Sequence, residues 1–232
     1  RLQVYNDWMP HIHVDFHEMG VNSPYYFAPA AKPYHEVITK FQRDFQQIVG
    51  KNHAKYFDEK GWLYFTKEQY DLFYPSYGDT YPTYNGAIGM TFEQGGSGAA
   101  GLGVKTKEGD ELTLKDRMSH HLTTGLSTIE VASANASVLN KEFVTYFKNA
   151  LEKPLGNTKT YLVKNNKDDK VESLIKLLNL HQIEYGSPSS ETSAKGLSYQ
   201  SNKEVKVSID KHDLLISVHQ PKSNLIKALF SS

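Results

Sequence analysis

Polar and apolar residues alternate along the opening stretch HIHVDFHEM, residues 11 to 19. Side chains of a β-strand point alternately to its two faces, so this spelling predicts a strand with one apolar and one titratable face. The titratable positions are His11, His13, Asp15 and His17, and the apolar positions are Ile12, Val14 and Phe16. We expect the apolar face to pack on a core and the other face to line a polar layer.

Apolar residues recur at helical spacing in the first two thirds of the chain. The helices they predict cover residues 33–49, 51–60, 115–133 and 137–152. Gly50 and Gly61 follow the first two of these stretches, and glycine is the residue most often found just past a helix end.

Strand patterns lie between these helices. Residues 62–66 predict a short strand, and residues 87–93, AIGMTFE, predict a mostly apolar strand. A continuous apolar run suits a central strand that is covered on both faces of its sheet. Residues 73–86 between them form an irregular loop rich in Gly, Pro and Tyr, and residues 104–114 predict a hairpin around Gly109.

The last third of the chain has a different pattern of predicted elements, with short strands around two helices. The predicted strands cover 158–165, 183–186, 204–209 and 213–220, and the predicted helices cover 168–182 and 221–230. We therefore predict an α/β fold in two parts, a domain over residues 1–154 and a small α+β module over residues 155–232.

Composition narrows the function classes. The 232 residues contain 26 Lys and Arg against 26 Asp and Glu, so a net basic face for nucleic acid is not expected. There are no cysteines, which leaves His, Asp and Glu as metal ligands. No apolar run approaches the length of a membrane span, and no signal peptide is visible. The chain begins with Arg1, so we expect a removed leader or a piece of a longer protein.

Two titratable residues end predicted strands, where open α/β sheets bind their ligands. They are His17 and Glu93. Residues i and i+2 of a strand project in parallel about 7 Å apart, so the opening strand is expected to offer one metal ligand, His17. A solvated polar face and a carboxylate that caps loop amides are the structural alternatives for these two residues.

Three further patterns are weaker. Residues 96–101 satisfy GxGxxG, but the dinucleotide mechanism needs a helix directly after the loop, and a hairpin is predicted there. His181 and Glu184 form the only HxxE, inside the small module. His120 and His121 are adjacent in a predicted helix, where neighbours diverge by about 100° and do not share a metal.

The motifs VDFHEMG, FYPSYGDTYPT and AIGMTFE, in this order, resemble the second half of the catalytic domain of zinc carboxypeptidases of the carboxypeptidase A type, in a bacterial branch. The resemblance covers residues 1–150 and implies the C-terminal half of a mixed-sheet α/β/α domain. It implies His17 as a zinc ligand and Glu93 as the general base that activates the zinc-bound water. Tyr74, or else Tyr77, would match the mobile-loop tyrosine that contacts the substrate.

The chain departs from this family in two respects. The family's other zinc ligands come from an upstream HxxE, and its carboxylate-clamping arginines also lie upstream; Asn6-Asp7 does not match its Asn-Arg pair. We therefore expect a partial catalytic domain that is inactive and binds zinc weakly when alone, completed by an upstream half. Its incomplete sheet is expected to expose apolar surface and to self-associate.

The resemblance implies a periplasmic or secreted enzyme that removes C-terminal residues from peptides or from peptidoglycan-type substrates. The alternative is a non-catalytic relative that binds peptide termini or cell-wall fragments. The role of the module over residues 155–232 is left open.

Overall fold

The computed structural model describes residues 2–165 and 169–231 of the chain. The fold is mixed α/β, as predicted, with both parallel and antiparallel strand pairs. Two compact units are present, one over residues 9–145 and one over residues 2–8 with 146–231. In these residues no helix is both long and apolar enough to cross a membrane.

The helices found in the described residues alternate with strands along the chain. They are α1 (Leu2–Trp8), α2 (Lys40–Lys60), α3 (Thr80–Thr83), α4 (Leu114–Ala134), α5 (Ala136–Glu152), α6 (Asp169–Leu180) and α7 (Ser223–Phe230). The strands are β1 (Ile12–Met19), β2 (Tyr25–Tyr26), β3 (Ala31–Tyr34), β4 (Tyr64–Phe65), β5 (Asp71–Leu72), β6 (Ile88–Gly95), β7 (Gly103–Lys105), β8 (Glu111–Thr113), β9 (Thr160–Val163), β10 (Thr192–Ser198), β11 (Lys203–Ile209) and β12 (Leu214–Ser217).

The larger unit is built on a four-stranded sheet of order β1-β6-β2-β4. β1 and β6 run parallel, and β6, the predicted apolar strand, is almost wholly buried. β1 is an edge strand, and its apolar residues Ile12 and Val14 pack against the core as predicted, whereas Phe16, expected on the same apolar face, is 47% exposed. The hydrophobic core combines residues of this sheet with residues of α2 and of the α4–α5 region.

One continuous helix, α2, replaces the two helices predicted on either side of Gly50. Thr39 caps it in a capping box with Gln42, so the predicted start at residue 33 was wrong, and residues 31–34 are the strand β3. Gly50 was wrongly expected to end a helix. It is required inside one, because a Cβ there would lie 2.2 Å from the Ala28 carbonyl oxygen. Gly61 does end the helix, in the left-handed conformation.

Other predictions in the larger unit hold with small shifts. The hairpin around Gly109 is present as β7 and β8, and α4 and α5 lie within about one residue of their predicted bounds. The loop over residues 73–86 contains one short helix, α3, which its Gly and Pro content did not indicate.

The smaller unit contains an antiparallel pair, β9 with β12, a second pair, β10 with β11, and the helices α6 and α7. The sequence missed β10, whose residues are nearly all exposed and carry little apolar signal. The strand predicted at 183–186 is reduced to one bridge, from Gly186 to Leu215. Asp168, the predicted first residue of α6, lies outside the described residues. The unit boundary falls at Tyr146 inside α5, eight residues before the predicted domain boundary at 154.

Candidate active site

The ends of β1 and β6 bring His17 and Glu93 together. These two strands are parallel neighbours, and His17 lies directly opposite Glu93 in their register. His17 Nδ1 is 3.7 Å from Glu93 Oε1. The His17 side chain is 62% exposed and that of Glu93 only 7% exposed, so solvent reaches the pair from the imidazole side.

The local sequence explains why a carboxylate is held at this position. The residues before Glu93 on β6 are apolar or small, and all but the half-buried Thr91 are buried. Glu93 also pairs with Tyr26 of β2. Gly95 allows the strand end to pass close to the preceding loop, because a Cβ there would lie 2.5 Å from the Ser23 carbonyl oxygen. Glu93 is therefore fixed by sheet on both sides, which limits its conformational freedom.

The environment of Glu93 favours its protonated form. Burial is the main cause and raises its pKa; His17 lowers it, whereas the carboxylates of Asp15 and Asp79 raise it. Glu93 Oε2 is buried and has no hydrogen-bond partner in the described part of the chain. A buried carboxyl with a raised pKa is a stronger base than an exposed one, which suits it to accept and release a proton.

Asp79 is a second buried carboxyl beside this pair, and sequence reasoning missed it. Burial raises its pKa to about 6, and a hydrogen bond from the Thr91 hydroxyl opposes this shift. The loop that carries Asp79 approaches β6 at Gly89, where a Cβ would lie 1.8 Å from the Asp79 carbonyl oxygen. Nothing in the local sequence around Asp79 marks it as buried, because the close approach depends on a glycine ten residues later.

Tyr70 interacts with Glu93, and the sequence did not indicate such a contact for any tyrosine. Its ring lies 4.5 Å from that of Tyr26, the residue paired with Glu93. Burial and the nearby Glu93 carboxylate raise the pKa of Tyr70. The hydroxyl of Tyr70 donates to Met19 Sδ at 3.6 Å, a long contact typical of a weak sulfur acceptor.

The predicted substrate-binding tyrosines lie in the exposed part of the loop. Tyr74 is 57% and Tyr77 54% exposed, and their rings contact each other at 5.7 Å. Their assignment came from spacing in the resemblance, and it stays a prediction. Tyr70 precedes the aromatic loop over residues 73–86, and no pattern in the sequence singled it out.

The other titratable residues of β1 have separate surroundings. The His11 ring lies 4.2 Å from that of Phe143, a packing contact. Asp15 acts electrostatically on both Glu93 and Asp79. The predicted polar layer therefore includes Asp15 as a direct neighbour of the pair.

His121 supports the end of β1 from α4. The ring is hydrogen-bonded to the backbone of His17, and its Nδ1 is 2.7 Å from the Tyr25 hydroxyl. Its neighbour His120 instead reaches Gln94 at 2.7 Å. The two imidazoles have different hydrogen-bond partners, although both rings also contact the Tyr25 ring, and the place of His121 beside His17 was missed.

Two of the weaker motifs are also described in the structure. The glycine loop continues into a single 3-10 turn, Ser97–Ala99, and then into the predicted hairpin, so the helix that a pyrophosphate site requires does not follow it. His181 and Glu184 belong to the smaller compact unit, where the Glu184 backbone pairs with the Gln220 side chain.

The donor set fits part of a zinc site. An imidazole nitrogen and a carboxylate oxygen are ligand types that zinc accepts, and His17 supplies an exposed imidazole next to a buried base. Among residues 2–165 and 169–231, no three His, Cys, Asp or Glu side chains are grouped so that they could hold a metal ion. His17 therefore fits one ligand position, and a complete coordination shell needs further donors.

Comparison with models of known protein families gave no match, and comparisons with curated proteins and with solved structures gave none either.

Proposed function

We propose that this chain forms part of a zinc-dependent metallocarboxypeptidase, with His17 as a metal ligand and Glu93 as the general base. The observation that carries the proposal is the pairing of these residues at the ends of two parallel strands, with Nδ1 and Oε1 3.7 Å apart. Residues 76 positions apart meet at the sheet end where α/β proteins bind ligands.

Each side chain has a defined task in this proposal. Zinc, when bound, lowers the pKa of its water to about 7 and polarises the scissile carbonyl. Glu93 takes the proton of the attacking water at Oε2, which has no hydrogen-bond partner within residues 2–165 and 169–231, and delivers it to the leaving amine. Burial, with a smaller contribution from the Asp15 and Asp79 carboxylates, raises the pKa of Glu93 and so makes it a stronger base. Tyr74 is proposed to contact the substrate's terminal carboxylate.

The number of donors limits what the chain does by itself. One imidazole does not hold zinc tightly, so the site needs donors beyond the groups of the described residues, and we propose that an upstream half of the catalytic domain supplies them. We expect the 232-residue chain to be inactive and to bind zinc weakly. The same site in a complete domain is expected to cleave C-terminal peptide bonds of peptides or peptidoglycan-type substrates, in the periplasm or outside the cell.

Hydrolysis of peptides with a free C-terminus, measured on the complete gene product and on the 232-residue chain, tests this function. Glu93→Gln should lower a chelator-sensitive rate at least about 100-fold, the usual contribution of a general base. Glu18→Gln is the matched control, because Glu18 follows His17 on β1 and pairs with Arg117. An unchanged rate in Glu93→Gln, or chelator-sensitive turnover by the isolated chain, would contradict the assignment.

Metal content provides a second readout. His17→Ala should remove zinc from the complete protein, whereas His13→Ala, four residues earlier on the same strand face, should retain it. Equal zinc loss in both variants would mean that the effect is structural.

A non-catalytic relative that binds peptide termini or cell-wall fragments is the second candidate. The small number of grouped metal donors in the described residues favours it. Binding of a peptide with a free C-terminus, unchanged by chelator and without turnover in the complete protein, would support this reading.

A further inference from the structure

Helix α4 buries mainly polar side chains and exposes most of its large apolar ones. The buried side chains are Arg117, His120, Thr124, Ser127, Thr128 and Val131. The exposed side chains, which we call the α4 stripe, are Leu114, Met118, Leu122, Leu126 and Ile129. Their exposed fractions run from 37% to 66%. Such an inverted helix leaves an apolar surface that water does not stabilise.

Hydrogen bonds hold α4 in this rotation. His120 reaches Gln94 on β6, Thr124 reaches the Tyr25 hydroxyl, and Ser127 reaches His53 on α2, at distances from 2.7 to 2.9 Å. Turning the stripe inward would break these buried contacts. The exposed position of the stripe is therefore a consequence of polar pairing on the opposite face.

The stripe points away from the sheet. Leu122 and Thr124 are two positions apart, which places them about 200° apart around the helix axis. Thr124 faces β2 through Tyr25, so Leu122 faces outward. A strand added to the open edge of β1 would extend the sheet in its own plane and would not cover this outer face.

We propose that the α4 stripe binds the same stripe of a second copy of this chain, with the two helices antiparallel and Leu122 at the twofold axis. In this register Met118 of one copy packs against Leu126 of the other. Lys115 of one copy then lies near Glu130 of the other; both residues are exposed, and the Glu130 carboxylate also accepts hydrogen bonds from Asn52 and Tyr56 of its own copy. A parallel arrangement would place like charges together, so the charges favour the antiparallel pair.

A groove beside the stripe receives the partner. It has a volume of 340 Å³ and is lined by residues that include Tyr56, Leu126 and Glu130. Lys60, which also lines it, is held over the Trp62 ring at 4.8 Å. In the proposed register Met118 of the second copy enters this groove. One helix face is smaller than the roughly 800 Å² per partner of a standard interface, so we expect a weak dimer.

Cross-linking through introduced cysteines tests the register, because the chain contains no cysteine. Leu122→Cys should form a disulfide dimer. A mixture of Met118→Cys and Leu126→Cys should cross-link, whereas each alone should not, because its two copies would lie about 12 Å apart along the axis. Leu197→Cys, a comparably exposed leucine of β10, is the control expected to remain monomeric.

Sedimentation of charge variants tests the same register without hydrophobic changes. Lys115→Glu or Glu130→Lys alone should weaken self-association about tenfold, and a mixture of the two variants should restore it. A chain that stays monomeric at about 1 mM, the limit of weak association, or one that cross-links equally at Leu197→Cys, would overturn the proposal. The outcome is independent of the proposed metal chemistry, because no stripe residue belongs to that site.

Discussion

Helices α2 and α4 are alike in length and start but opposite in what they bury. Both have 21 residues and begin with a threonine capping box. α2 buries Phe45, Val49 and Phe57 together with a few polar residues. α4 buries mainly polar side chains and exposes its leucines.

The two helices bury different faces because they pack against different groups. α2 packs on an aromatic cluster in which Phe57 contacts Tyr25 and Phe27 at ring distances of 5.1 and 5.3 Å. α4 meets hydroxyl, amide and imidazole groups that need hydrogen-bond partners once they are buried. Apolar spacing therefore reveals that a helix exists, but its neighbours decide which face is buried.

Among the variants that test this difference between α2 and α4, truncation of an α2 core residue should lower stability the most. Phe57 is completely buried, so Phe57→Ala should lower the free energy of unfolding by about 3 to 5 kcal/mol. Urea unfolding followed by fluorescence measures the change. A loss below about 1 kcal/mol would mean that Phe57 does not belong to the hydrophobic core.

Acid should destabilise the protein through the buried His53 of α2. Burial lowers its pKa from 6.5 to about 3, so between these values the unfolded chain binds more protons than the folded one. The stabilisation is complete above pH 6.5 and is lost as the pH falls toward 3. From pH 7 to pH 4.5 this amounts to about 3 kcal/mol, and it should be absent in His53→Gln.

His120 of α4 provides the matched titration. Burial lowers its pKa to about 4, so His120→Gln should flatten the pH profile above pH 4 only. Urea unfolding from pH 7 to pH 3 measures both variants. Identical profiles in wild type and both variants would mean that neither imidazole is buried in solution.

The polar bridge between the two helices should have an intermediate effect. Ser127 contacts His53 Nδ1 at 2.7 Å and accepts a hydrogen bond from Asn52 at 2.8 Å. Ser127→Ala leaves both groups without this partner and should lower stability by about 1 to 2 kcal/mol. Ser133→Ala, an exposed serine on the same helix, is the control. Additive losses in a His53 and Ser127 double-mutant cycle would refute the bridge.

Truncation on the exposed face of α4 should have the smallest effect. Leu122→Ala in the monomer should change stability by less than about 0.5 kcal/mol, because alanine is a good helix former and little burial is lost. The measurement is made by urea unfolding at low protein concentration. A loss comparable to that of Phe57→Ala would show that the leucine face is the core face.

Local signals fixed much of the secondary structure. The alternation over residues 11–19 predicted β1 and its apolar face, and the apolar run ending at Glu93 predicted a buried central strand. Both patterns can be detected within a few consecutive residues, because strand periodicity and a continuous apolar run depend only on sequence neighbours. Gly50 was wrongly predicted to end a helix because the requirement for glycine there comes from its close approach to Ala28, which is distant in the chain.

Some residues of the candidate site could be identified from local sequence, and others only from the structure. His17 and Glu93 were identified from their positions at strand ends, and their 3.7 Å approach follows from the parallel register. Asp79, Tyr70 and His121 were missed, because each reaches the pair through a loop or helix whose path the local sequence does not encode.

The sequence by itself determined which segments form strands and helices, which residues carry titratable groups, and that cysteine chemistry is excluded. Tertiary structure alone decided that α4 turns its polar face inward, that Asp79 is buried, and that one oxygen of Glu93 has no hydrogen-bond partner among the described residues. The physical reason is that periodicity is a property of adjacent residues, whereas burial and pKa depend on groups brought together across the fold.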